Sequence, residues 1–89
     1  TAKISNVSEV YPNPVVDAFT LEMESSKATY AQMQVFTFEG NLLLNKKINL
    51  AEGANTVSES VAELKKGLYI VKITNEATNE VVVKKMIKQ

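Results

Sequence analysis

Alternation with a period of two runs through most of this chain and limits its fold more than any other feature. A strand buried on one face carries apolar side chains at every second position. Phe19, Leu21 and Met23 hold one parity, while Thr20, Glu22 and Glu24 hold the other. Residues 28–38, ATYAQMQVFTF, send Ala31, Met33 and Val35 one way and Tyr30, Gln32, Gln34 and Phe36 the other. That mixed second face predicts a strand partly covered on both sides. Glu39, Gly40 and Asn41 then supply a glycine able to adopt positive φ, and the alternation restarts at Leu42, Leu44, Lys46 and Ile48, which predicts a hairpin. A second turn cluster, AEGAN at 51–55, precedes the weaker run TVSESV, and GLYIVKI at 67–73 connects through TNEATN to Val81, Val83 and the terminal KKMIKQ. Adding a short first strand over residues 4–10 predicts seven strands at intervals of about 8 to 13 residues, the spacing of a sandwich or small barrel.

Both prolines of the chain flank Asn13, in the stretch YPNP formed by Tyr11, Pro12, Asn13 and Pro14. Proline fixes φ and has no N–H for a ladder, so a central strand cannot run through this point. The stretch is expected to pin the place where the first strand leaves one sheet and the second begins in the other. Ser60, Glu63 and Gly67 have the spacing of a capping box and a terminal glycine, which could support a helix of one or two turns. The alternative, preferred because so short a helix would not set the fold class, is a corner before the penultimate strand. Tyr69 lies four residues past Lys65, so with Leu64 and Gly67 it can form a tyrosine corner, its hydroxyl returning to upstream backbone. The expected fold is all-β: an immunoglobulin-like antiparallel β-sandwich of about seven strands, built as one domain over residues 1–89 with a radius of gyration of about 12 Å.

Composition removes several functions. All ten cations are lysine, and without arginine the chain lacks the planar fork that reads guanine edges and clamps phosphates, which argues against nucleic acid. With neither His nor Cys, the usual neutral-pH base, the thiol nucleophile and the common zinc ligand sets are missing. Glu22 and Glu24 share a solvent face, and Asp17 is the only Asp, too few for a calcium loop. No enzyme activity, metal or cofactor is expected. Asn6-Val7-Ser8 has the form of a glycosylation acceptor, a triplet common by chance. No apolar run reaches the roughly 20 residues of a membrane helix, so direct membrane insertion is not expected. Thr1 in place of Met suggests a piece of a longer chain. The charge asymmetry lies at the end: Lys84, Lys85 and Lys88 fall in the last six residues. Lys84 and Lys88 share the parity of Val82 and Met86, whereas Lys85 shares that of Val81, Val83 and Ile87. These lysines could protect an edge strand from aggregation, or a partner could read them as a basic extended tail.

Taken in order, YPNP, then QVFTFEGNLL, then GLYIVKI, then a lysine-bearing last strand, the chain resembles the C-terminal sorting domain of cargo of the type IX (Por) secretion system. The resemblance spans essentially the whole chain and rests on Pro12, Asn13 and Pro14, on Val35, Phe36 and Gly40, on Gly67, Tyr69 and Ile73, and on Lys84, Lys85 and Lys88. Thr37 stands where the family often has Asp, and Gln89 follows the last lysine.

The resemblance implies a secretion signal rather than a catalyst. Such a domain would direct a periplasmic cargo protein through the outer membrane of a Gram-negative bacterium to the surface or the medium. Its implied partners are the type IX translocon, outer-membrane shuttle components and a sortase-like cysteine peptidase, which would cut upstream, near or before Thr1, and join the cargo to an anionic lipopolysaccharide. Lys84, Lys85, Met86, Ile87 and Lys88 are the candidate recognition residues, read by strand addition together with point charges. Tyr11, Pro12, Asn13, Pro14, Gly40, Gly67 and Tyr69 are the candidate structural motif. Two other readings remain: an immunoglobulin-like spacer or adhesion module on a surface protein, and a carbohydrate-binding module. The absence of Trp and the count of only three Tyr weaken the second.

Overall fold

Seven strands pair into two sheets in a computed structural model, which describes residues 3–89. Thr1, beside which the expected cut falls, lies outside the described residues. The strands are β1 (Ile4–Ser5), β2 (Ala18–Ser25), β3 (Thr29–Thr37), β4 (Leu42–Leu50), β5 (Gly53–Ser60), β6 (Gly67–Asn75) and β7 (Val81–Lys88). One sheet has the order β1-β2-β5 and the other β4-β3-β6-β7, with every strand pair antiparallel. This is the immunoglobulin-like sandwich that the alternation predicts, in the variant whose fourth strand sits beside the third.

The inward parities form the core. Phe19, Leu21 and Met23 of β2 face Ala31, Met33 and Val35 of β3, Val71 and Ile73 of β6, and Met86 of β7, all buried. Each large side chain of this kind contributes about 1.5 to 3 kcal/mol on burial, and the chain closes to a radius of gyration of 12.6 Å. On one open side of the sandwich the two edge strands β4 and β5 are tied by Lys46 and Glu59, 3.1 Å apart.

Residues 61–66 hold a turn and not a helix: Leu64 N–H donates to Val61 O at 3.0 Å, and no helix occurs among the described residues. A single turn cannot offset the cost of helix nucleation, and the Lys65 carbonyl is instead used by the Tyr69 hydroxyl, which donates to it at 2.5 Å. The tyrosine corner therefore forms.

Gly40 has φ of 97°, a conformation that costs side-chain-bearing residues, and its N–H donates to Thr37 O at 2.9 Å. The Thr37 hydroxyl accepts from Asn41 N–H at 3.1 Å, so threonine here supplies the side-chain oxygen that Asp supplies in such turns. The pairing of β3 with β4 shifts between Val35 and Phe36. In consequence Leu42, whose parity placed it inward, is 48% exposed.

Two expectations about the first strand need correction. It does not run over residues 4–10. Only Ile4–Ser5 is a strand, and contact with β2 resumes at Ser8, whose N–H donates to Glu22 O, and at Tyr11, which exchanges two backbone bonds with Thr20. Nor does β2 begin in the other sheet. β1 and β2 lie side by side, with Ile4 opposite Ser25 and Ser5 opposite Glu24, and YPNP makes a detour between them. The detour carries Val15, fully buried, to the edge of β7, where it forms a single parallel bridge with Lys88. The peptide bonds preceding Pro12 and Pro14 are both cis.

Candidate functional site

β7 is the outer strand of the larger sheet, and its alternation decides what each of its residues can do. Val82, Lys84, Met86 and Lys88 turn toward the core side, while Val81, Val83, Lys85 and Ile87 turn outward. Met86 is fully buried. Lys84 reaches across the sandwich to Glu9, with Nζ 3.2 Å from Oε1; its side chain is 19% exposed against 79% for Glu9. Lys88 is buried, and its Nζ donates to the Gln89 carbonyl at 2.9 Å. Of the three terminal lysines only Lys85 stands exposed. Inward-pointing charges on an edge strand oppose sheet-to-sheet association, and Lys84 and Lys88 occupy such positions.

The free edge of β7 is partly closed by the chain itself. Ile87 N–H donates to Asn13 Oδ1 at 3.0 Å, Val15 N–H donates to Ile87 O at 2.6 Å, and Gln89 N–H donates to Val15 O at 2.8 Å. Residues 13–15 thus stand where the backbone of an added strand would lie. Since the backbone of Ile87 points away from β6, alternation in an antiparallel ladder directs Val81, Val83 and Lys85 the same way. Strand addition along residues 81–85 is open, and along 87–89 it requires displacement of Asn13 and Val15. Asn13 offers its side-chain oxygen to β7 rather than to solvent alone.

Asn13, Gly40, Gly67 and Tyr69, scattered along the sequence, meet at one end of the larger sheet. In register, Gly67 pairs with Lys88, Tyr69 with Met86, and Tyr69 on its other side with Thr37. Thr37 holds Gly40, and Asn13 holds Ile87. Gly67, with φ of 152°, opens β6 directly after the tyrosine corner. Tyr11, at the start of the detour, donates from its hydroxyl to Glu22 Oε1 at 3.2 Å. Desolvation and, after it, the Glu22 carboxylate hold the Tyr11 phenol above its ordinary value of 10.0. Sequence spacing could not have paired Glu9 with Lys84 or Asn13 with Ile87, because each pair is more than seventy positions apart. Among the described residues no group of three His, Cys, Asp or Glu side chains is placed to hold a metal ion.

Residues 9–89 match the family model of the secretion system C-terminal sorting domain. The chain belongs to that family. No curated protein sequence is significantly similar to it. As a type IX sorting domain it is a secretion signal, of a family that is typically non-catalytic. It marks its cargo as secreted or surface-exposed and is involved with the type IX secretion machinery. The match begins at Glu9, the partner of Lys84, and takes in both YPNP and the lysine-bearing strand.

Proposed function

We infer that residues 1–89 form the C-terminal domain of a longer cargo protein and carry it from the periplasm across the outer membrane of a Gram-negative bacterium, with no catalysis of their own. The type IX translocon and its outer-membrane shuttle components read the folded domain near the end of β7. A sortase-like cysteine peptidase then removes it by cutting upstream, near or before Thr1. The observation that carries this reading is the convergence of YPNP, Gly67, Tyr69 and Lys84 to Lys88 at one end of the sheet, in a chain that matches the sorting family over residues 9–89. Each recognition candidate has a distinct part. Lys85 and Ile87 face outward and can be touched, whereas Lys84, Met86 and Lys88 fix the strand from within. The test is a fusion of residues 1–89 to the C-terminus of a periplasm-targeted fluorescent reporter, followed in hosts with and without a working type IX translocon. Surface or medium fluorescence should appear only with the translocon, and the exported product should have lost the 9.8 kDa domain. Equal retention in both hosts would refute the export reading, and export at full mass would refute removal.

A further inference from the structure

The two outer faces of the sandwich differ in chemistry. On the three-stranded sheet, β2 presents Thr20, Glu22 and Glu24, and β5 presents Thr56 and Ser58 beside them in register. On the four-stranded sheet, the outward face near the end of β7 carries apolar residues on either side of Lys85: Val83 and Ile87 are 55% and 47% exposed, with Leu68, Ile70 and Phe36 half-buried alongside. Ile87 lies opposite Leu68, Lys85 opposite Ile70 and Val83 opposite Lys72, while Ile70 continues to Phe36 on β3. Lys72 and Lys85 are diagonal neighbours here, and no acid faces them on these strands. Glu76, just past the end of β6, lies 3.9 Å from Lys47 instead.

We propose that this face, centred on Val83, Lys85 and Ile87 of β7 with Lys72 and Ile70 of β6, is a docking surface for a protein that presents apolar side chains flanked by carboxylates. This deepens the export reading and rests on it: the partner is the component that carries the domain outward. Exposed apolar side chains gathered on one face mark interaction sites, and two lysines among them, which have no ion-pair partner among the described residues, select an acidic complement. Other occupants fit less well. A second copy placed face to face sets Lys72 and Lys85 against themselves, and one placed face to back sets apolar side chains on Thr, Ser and Glu. An anionic membrane surface is read by clusters of about four to eight cations, and this face carries fewer. Because Asn13 and Val15 already occupy the edge at residues 87–89, the face of β7 is more accessible there than its edge.

Three variants of the reporter fusion test the proposal in a translocon-competent host: Val83→Thr with Ile87→Thr, which keeps strand preference while removing apolar surface; Lys85→Glu, which reverses the charge; and Thr56→Lys on the opposite face as control. Melting temperatures of the same three domains identify any variant that fails to fold, and Lys85→Glu, at an exposed outward position, leaves the core intact. The expected result is a drop in exported fraction of about fivefold or more for the first two variants, the size of a lost interface contact, with the control unchanged. Export of both face variants at the wild-type level overturns the docking surface while leaving the sorting function in place. Failure of the wild-type fusion to be exported overturns the sorting function itself. The isolated domain is expected to sediment as a monomer and not to co-sediment with vesicles of phosphatidylcholine and phosphatidylglycerol. A dimer weakened by the double Thr variant, or vesicle binding lost with Lys85→Glu, would identify a second copy or a lipid surface as the occupant and overturn the protein partner.

Discussion

Met86 and Ile87 are adjacent, yet the structure assigns them opposite fates, and substituting each by alanine tests the orientation of the last strand. Met86 has no exposed surface, whereas Ile87 is 47% exposed. Truncating a fully buried methionine loses its transfer free energy and leaves a cavity, which together cost about 2 to 5 kcal/mol. Ile87 has roughly half of its side chain to lose, about 1 kcal/mol by area, with a strand-preference change of less than about 1 kcal/mol added. A domain of this length has an unfolding entropy of about 0.2 kcal/mol per degree, so each kcal/mol lowers the melting temperature by about 5 °C. Thermal unfolding followed by far-ultraviolet circular dichroism should therefore show a fall of about 15 °C for Met86→Ala and about 5 to 8 °C for Ile87→Ala. An equal fall, or a larger one for Ile87→Ala, would mean that β7 presents its other face to the core. The separation of structural from accessible residues at the chain's end would then be wrong.

The remaining consequences concern the devices that hold this end of the sheet. Tyr69→Phe removes the donor to the Lys65 carbonyl and should cost about 1 kcal/mol, read as a lower urea midpoint with an unchanged slope; no change would mean that the corner bond adds nothing. Asn13→Ala leaves the Ile87 N–H to water and should cost at most about 1 kcal/mol, while amide exchange at Ile87 and Gln89 accelerates and exchange in β3 does not. Uniform acceleration across both sheets would contradict a local clamp. The raised Tyr11 phenol keeps its proton longer in the folded chain, so it contributes stability present below the ordinary tyrosine range and lost as pH rises through its folded-state value. Tyr11→Phe should remove that alkaline loss, and an unaltered pH profile between wild type and variant would show that Tyr11 does not contribute.

Alternation told which side of each strand faces the core, and the burial of Phe19, Leu21, Met23, Ala31, Met33 and Val35 follows it. It carried no information about which strand lies beside which. The second strand was expected in the opposite sheet and lies beside the first, because a parity is the same whichever neighbour completes the ladder. Leu42 escaped its parity through the register shift between Val35 and Phe36, which no residue type nearby announces. The tyrosine corner was legible because its bond is local, four residues from hydroxyl to carbonyl. The Asn13 clamp on Ile87 and the Glu9 pair with Lys84 were not, since their partners come together only when the sandwich closes. The terminal lysines could be divided between two faces from sequence, but which face was inward depended on the burial of Met86.

The measurement that bears most directly on the sorting role compares two placements of the same domain. One fusion carries residues 1–89 at the C-terminus of a periplasm-targeted reporter, and the other carries them between the targeting segment and the reporter. A sorting signal read at the chain's end should bring the first fusion to the cell surface in a translocon-dependent manner and leave the second in the periplasm. Equal surface display of both, or of neither while the domain remains folded, would contradict that role and favour an immunoglobulin-like spacer.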